Sequence, residues 1–288
     1  MKKWHVIITV IAALCVIAII YIIRLNSIPA ITYFPIDKNR SFSNAETTIQ
    51  LFSEKGNDNY EINWRAGSRT ENSVYLRQDV SLLYDNGRLR GALTKWVQDT
   101  DTIQLKEKLH HEDSSLFQSI SFHHGEVHYP DSQIKSIHQL SSDYLYVIDS
   151  PTTSLESFKT PENNYEKEWK DLLERTTKQQ LIYQWNKLFH HFQIDSNHYL
   201  TVPLTDLAKY QEEPLPSLTM EQTEKIMGQL WEGLYKNYII PVVNTENEEL
   251  NSYIPIVLFD KDQKHLLVLY ELNGKKNKLI QNYSFTDQ

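Results

Sequence analysis

The chain has a single cysteine among its 288 residues, Cys15. Beyond that position, disulfides, zinc–thiolate sites, thioredoxin-like chemistry and cysteine nucleophiles are excluded. Glycine is scarce too, with 8 in all and no Gly-x-Gly pair, so neither a dinucleotide fingerprint nor a P-loop exists. No Gly-x-Ser-x-Gly elbow and no His-Glu-x-x-His helix occurs. Positive charge is in deficit, at 29 Lys and Arg against 37 Asp and Glu, a net charge of −8. Nucleic-acid binders carry basic patches, so no nucleic-acid partner is expected. Adhesion by charge to anionic lipid or polyanionic wall polymer is disfavoured on the same ground. Fixed-period repeats and low-complexity tracts are also missing.

What is present begins at the amino terminus. Residues 6–23 form one apolar run, preceded by Lys2 and Lys3 and closed by Arg24. At about 1.5 Å per residue the run makes a helix of roughly 27 Å, close to the hydrocarbon thickness of a bilayer. Trp4 and Tyr21 suit the two interfacial belts. A cleaved signal peptide has a shorter apolar stretch and a small-x-small cleavage site. Here Arg24, Leu25, Asn26, Ser27, Ile28 and Pro29 follow, so a retained signal-anchor is expected. Cys15 follows Leu14 inside the run and reads as a helix residue, not as a lipoprotein cysteine. Two lysines before the run and one arginine after it predict a cytoplasmic amino terminus and an extracytoplasmic remainder. Removing the three basic residues of 1–24 leaves 26 against 37 acids, so the predicted ectodomain carries −11.

The rest divides by pattern. Residues 1–24 are the anchor and 25–45, with Pro29 and Pro35, a stalk. Residues 46–150 read as a mostly antiparallel β subdomain, with short strands at 47–52, 60–64, 79–84, 88–97 and 144–148. Asp85-Asn86-Gly87 marks a hairpin, because Asn and Gly tolerate the positive φ of a tight turn. A second hairpin is expected to turn at His123-His124-Gly125, between strands at 116–122 and 126–129. A Ser/Thr/Pro-rich linker covers 151–163, and 164–288 reads as an α+β subdomain of two helices and a three-stranded antiparallel meander. The first helix spans 164–192. Trp169, Leu172, Leu173, Thr176, Leu181, Trp185, Leu188 and Phe192 supply its apolar stripe, and its polar middle allows a kink. Thr219 and Gln222 have capping-box spacing at the start of the second. The fold class is therefore α+β behind an N-terminal transmembrane helix.

The candidate chemistry lies in histidines, with His110, His111, His123, His124, His128 and His138 close together. Side chains alternate along a strand, so His124, Glu126 and His128 would share a face and offer two imidazoles and a carboxylate to a divalent metal. The competing reading is a polar face turned to water opposite Val127 and Tyr129. The same imidazoles would titrate near neutrality and act as a pH sensor. Aromatics are abundant, at 6 Trp and 17 Tyr. Trp169 and Trp185 belong to the helix stripe, while Tyr144 and Tyr146 share one face of a strand, as core or as a binding rim. No catalytic residue and no cofactor is assigned. The expectation is a single-pass cell-membrane protein held in the bilayer through residues 4–23. Its ectodomain would be a non-catalytic module that binds a membrane or envelope protein. The alternative is an envelope hydrolase or metal-binding protein acting on wall polymer or peptide.

Overall fold

A computed structural model describes residues 31–52, 59–150, 154–245 and 250–283. The expected anchor, most of the stalk and the start of the linker lie outside the described residues. Among the described residues no helix is long and apolar enough to cross a membrane. The protein is α+β, with mostly antiparallel sheets and few helices. Residues 31–288 form one compact unit.

The first sheet is organised by one long strand. Strand β2 (Tyr60–Asp85) absorbs two segments that the sequence separates, 60–64 and 79–84. Its first half pairs with β1 (Phe42–Phe52) on one side and β3 (Arg88–His111) on the other. Its second half keeps β3 but exchanges β1 for β4 (Ser115–His128), which continues to β5 (Ile134–Ile148) and the short β6 (Glu156–Phe158). The β2–β3 register shifts between Arg69 and Val74, which bends the ribbon there. The halves then meet face to face. Trp64 Nε1 on the first half donates to Ser81 Oγ at 3.1 Å and Ser119 Oγ at 2.9 Å on the second. Ile49, Ile62, Trp64, Leu83, Phe117 and Val147 fill the space between them.

The alternation along β2 records this geometry. Over Tyr60–Thr70 every second residue is buried, the pattern of a strand with one wet face. From Leu76 to Asp85 every residue is buried, because a second layer covers the outer face as well. The Asp85-Asn86-Gly87 hairpin forms as expected, with φ of 46° at Asn86 and 81° at Gly87. Its tip is docked. Gly87 O accepts from Ile254 N at 2.9 Å, and a Cβ on Gly87 would stand 2.9 Å from Leu181 Cδ2.

The expected turn at His123-His124-Gly125 does not exist. Strand β4 runs straight through it, paired in register with β2 and β5 on its two sides. Gly125 is there for packing, since a Cβ would lie 3.0 Å from Ile137 Cγ1.

The covering layer comes from the second half of the chain. Helix α1 (Asn164–Phe192) is unbroken despite its polar middle, capped by Asn163, whose side chain accepts from Glu166 N. It buries Leu173, Thr177, Leu181 and Leu188, whereas Leu172 stays 38% exposed. Strand β7 (Tyr199–Pro203) and a 3₁₀ helix (Leu204–Gln211) connect it to the next helix. Helix α2 (Met220–Leu234) starts with the expected capping box of Thr219 and Gln222. It passes into a π turn (Tyr235–Ile239) and a last helical turn, α3 (Ile240–Val243). Pro241 brings no N–H to the carbonyl of Asn237 four residues back. Tyr270 Oη supplies the missing donor at 2.7 Å.

The meander β8 (Ile256–Asp260), β9 (His265–Leu272) and β10 (Lys275–Asn282) is extended by β7 on its far side. One face carries Ile256, Leu258, Leu267 and Leu269 against Leu188, Trp185 and Phe189 of α1. From the other, Tyr270 reaches Tyr238, ring centroids 4.9 Å apart.

Candidate functional site

Strand β4 distributes its histidines to opposite sides of the first sheet. Odd positions face inward between the folded halves, and even positions face the covering helices. His123 is inward and fully buried. Its Nδ1 lies 2.9 Å from Asp79 Oδ2 without the geometry of a directed hydrogen bond. Its Nε2 lies 2.8 Å from Ser141 Oγ, which is itself 2.6 Å from Thr47 Oγ1. Asp79 Oδ1 accepts from Ser68 Oγ at 2.8 Å. Ser68 in turn accepts from Arg77, which also donates to Thr70 Oγ1 at 3.1 Å and to the carbonyl of Asp101 at 2.8 Å. The Arg77 guanidinium stands 4.8 Å from the ring centre of Phe42. Burial lowers its pKa, against the pull of Asp79 and Asp101.

This network holds serine, histidine and aspartate in the order of a nucleophile, a base and its orienting acid. The serine sits in mid-strand, its hydroxyl shared between His123 and Thr47. Oppositely charged Arg77 and Asp79 neutralise one another through Ser68. Its evident physical role is to fix how the two halves of the sheet stack.

His124 faces the helices. It is 2% exposed, and its Nε2 lies 3.3 Å from Ser136 Oγ. Burial pushes its pKa down to about 3, assisted by His138 and Arg77, while a hydrogen bond with the backbone of Thr32 opposes the shift. His138, half-buried on the neighbouring strand, is lowered to about 4 by the same loss of water. The ring centre of Phe122 lies 5.0 Å from that of Trp231, 5.6 Å from that of His138 and 6.2 Å from that of His124. Gly228 on α2 permits this approach, since a Cβ there would stand 3.2 Å from His138 Cε1 and 2.7 Å from Tyr33 Cδ2. Both imidazoles are therefore neutral wedges between sheet and helix.

His124, Glu126 and His128 share one side of β4, as alternation requires, and each has contacts of its own. His128 Nε2 stays 3.5 Å from Glu126 Oε2, and its ring stacks on Tyr75 with centroids 3.8 Å apart. His124 is turned to Ser136 under α2. Among the described residues no group of three or more His, Cys, Asp or Glu side chains is placed to hold a metal ion. Of the aromatics, Trp64 and Trp231 are core, Trp96 and Tyr144 are 41% and 44% exposed, and Tyr146 is buried against Phe158.

A feature that the sequence reading passes over is the outer face of the first half of the sheet. Its cross-strand rows are Phe52/Glu61/His110, Gln50/Asn63/Lys108, Thr48/Arg65/Lys106, Glu46/Gly67/Gln104 and Asn44/Arg69/Thr102. Their backs are apolar, with Ile49, Ile62, Trp64, Ala66, Ile103 and Leu105 turned inward. Twist and the bare centre at Gly67 make this face a trough of about 580 Å³, lined mainly by polar and charged side chains. A Cβ on Gly67 would lie 3.2 Å from Ile103 O. The signal was present as Arg65-Ala66-Gly67-Ser68-Arg69, two arginines and a glycine on one face of an alternating strand.

Compared with known protein families, with characterised proteins and with solved structures, the chain matches none of them.

Proposed function

We propose that this chain is a single-pass, membrane-anchored extracytoplasmic protein whose ectodomain is a non-catalytic interaction module of a bacterial cell envelope. Support for the anchor is the sequence of residues 4–23 and its flanking charge. One observation carries the interaction reading. The polar groups closest to forming a reactive set, Asp79, His123 and Ser141, are consumed in stacking one half of the sheet on the other. The outer face of β1–β2–β3 is by contrast open, concave and lined by long polar side chains, with Phe52 50% exposed at one end. Such a surface recognises a partner without transforming it.

The test is to cross-link the tagged full-length protein in its own cells beside two controls, residues 1–45 alone and the full chain carrying Gln104→Trp. A partner captured by the unaltered chain and lost from both controls supports the reading. Equal recovery from all three overturns it.

A second reading, hydrolysis of wall polymer or peptide, has one observation in its favour, the 2.8 Å approach of Ser141 Oγ to His123 Nε2. Labelling by a fluorophosphonate that disappears in Ser141→Ala would establish an activated serine. An unlabelled chain would remove the ground for this reading.

A further inference from the structure

The trough has a point of recognition at its centre. Arg65 and Arg69 flank Gly67 on the same face of β2, roughly 13 Å apart along the strand, within reach of two long side chains turned toward each other. No side chain stands between them on that strand. Lys106 lies across from Arg65 on β3, and Glu46 lies across from Gly67 on β1. Arg65 has one weak hydrogen bond, to Asn63 Oδ1 at 3.4 Å. Among the described residues no carboxylate pairs with Arg65, Arg69 or Lys106.

That is unlike neighbouring cations of the same sheet. Lys108, one row away, is 2.7 Å from Glu61, and Lys159 is 2.6 Å from Asp143. The chain as a whole carries −8. Three cations that pair with no carboxylate among the described residues stand around a bare glycine, against Glu46, and make a locally positive spot on an acidic protein.

We propose, resting on the reading of this face as the interaction surface, that Arg65, Arg69 and Lys106 seat a carboxylate of an extended acidic peptide segment over Gly67. Arginine forks match a carboxylate in two parallel hydrogen bonds, which a lysine cannot do. Asn44, Thr48, Gln50 and Gln104 line the trough on either side and offer both donors and acceptors to the amide groups of an extended chain. A long phosphate polymer is a poorer occupant. Its many charges are brought within a Debye length, about 8 Å at physiological salt, of acidic surface outside the trough, whereas one or two carboxylates in the trough feel chiefly the local cations.

The experiment uses the full chain in nanodiscs of zwitterionic lipid. Fluorescence anisotropy follows an eight-residue peptide with two glutamates in a serine–threonine background, its glutamine counterpart, and competition by inorganic phosphate and by poly(glycerol phosphate). The glutamate peptide is expected to bind at least 10-fold more tightly than the glutamine peptide, and to weaken as salt rises from 50 to 500 mM. Arg65→Gln with Arg69→Gln is expected to weaken it by about 100-fold, since each substitution removes a charge-assisted hydrogen bond. Lys264→Gln, which removes a cation already paired with Asp262 in the β8–β9 turn, should leave binding unchanged. Equal binding of the two peptides, or a lack of salt dependence in the unaltered chain, overturns the proposal without recourse to any variant. Competition by inorganic phosphate alone at peptide-like concentrations would show an unspecific anion spot, and preference for the polymer would favour the wall. If Gln104→Trp abolishes partner capture while the two peptides bind alike, the face is an interaction surface with another ligand chemistry. If both effects are absent, the functional reading fails with the proposal.

Discussion

Lowering the pH from 7.5 to 5 is expected to destabilise the folded chain by about 2–4 kcal/mol through two side chains, His124 and His138. In the unfolded chain both titrate near 6.5, whereas burial holds them at about 3 and about 4 in the fold. At pH 7.5 neither state binds the proton, and the full stability is present. Between pH 6.5 and the folded values the unfolded state takes up protons that the native state refuses, so stability falls as the pH falls. At pH 5 each histidine is worth about 2 kcal/mol by this linkage. His124 stands for the lower figure alone. His138 is only half-buried as a residue, so its share adds up to the same amount again.

The groups facing the pair reinforce the direction. The two imidazoles face each other across β4 and β5, and the charge of Arg77 on the other side of the sheet adds a smaller repulsion to a proton on His124. Glu126 and Glu224, raised mainly by burial, act in the opposite sense as the pH falls from their raised values toward the ordinary carboxyl range, and the double substitution described next cancels their share. Urea denaturation at pH 7.5, 6.5, 5.5 and 5.0 reads the effect directly. The double substitution His124→Asn, His138→Asn keeps the other histidines, so its difference from the unaltered chain isolates the pair. Parallel loss of stability in both proteins over this range would refute the reasoning, whatever their absolute stabilities.

Three further outcomes follow from the packing. Arg77→Ala leaves Asp79 buried without its cation and should cost about 3–5 kcal/mol in urea denaturation, with Arg77→Met, Asp79→Asn recovering a good part. Tyr270→Phe removes the donor to the Asn237 carbonyl, and should cost about 1–2 kcal/mol with faster hydrogen exchange confined to residues 235–243. Zinc titration of the full chain should show no stoichiometric binding sensitive to His128→Ala, because His124 is turned to Ser136 under α2; a site abolished by that substitution would contradict the placement of the ring.

Local signals in the sequence were reliable where they concerned backbone geometry. Asp85-Asn86-Gly87, the Thr219 and Gln222 cap, and the helix over 164–192 each rest on signals a few positions apart and form as expected, although the helix buries Thr177 and leaves Leu172 and Thr176 of the expected stripe exposed. Burial of polar residues was less legible. Along 76–85 the sequence alternates Val80, Leu82 and Tyr84 with Asp79, Ser81 and Asp85, which reads as a strand with one wet face. Both faces are covered, because a layer from the far end of the chain meets one side and the bent ribbon meets the other. The same error produced the turn at His123-His124-Gly125. Two imidazoles and a glycine look like surface material until a fold supplies Asp79 on one side and Trp231 on the other. That pairing depends on strand register between distant segments, which no local pattern carries. The arginines around Gly67 were readable in principle, but only once alternation was followed along a strand far longer than its apolar content suggested.

The long-range staples have a consequence for synthesis. Tyr33 N donates to Glu232 Oε2 across 199 positions of sequence, and Lys38 reaches Glu221. The apolar side of β2, with Val80, Leu82 and Tyr84, finds its cover only when α2 has been made. A ribosome adding about 5–20 residues each second needs roughly 10–30 s to travel the intervening ~150 residues. Through that interval the nascent chain presents a finished hairpin with an uncovered greasy flank and a free strand edge, the two features most prone to pair with another copy.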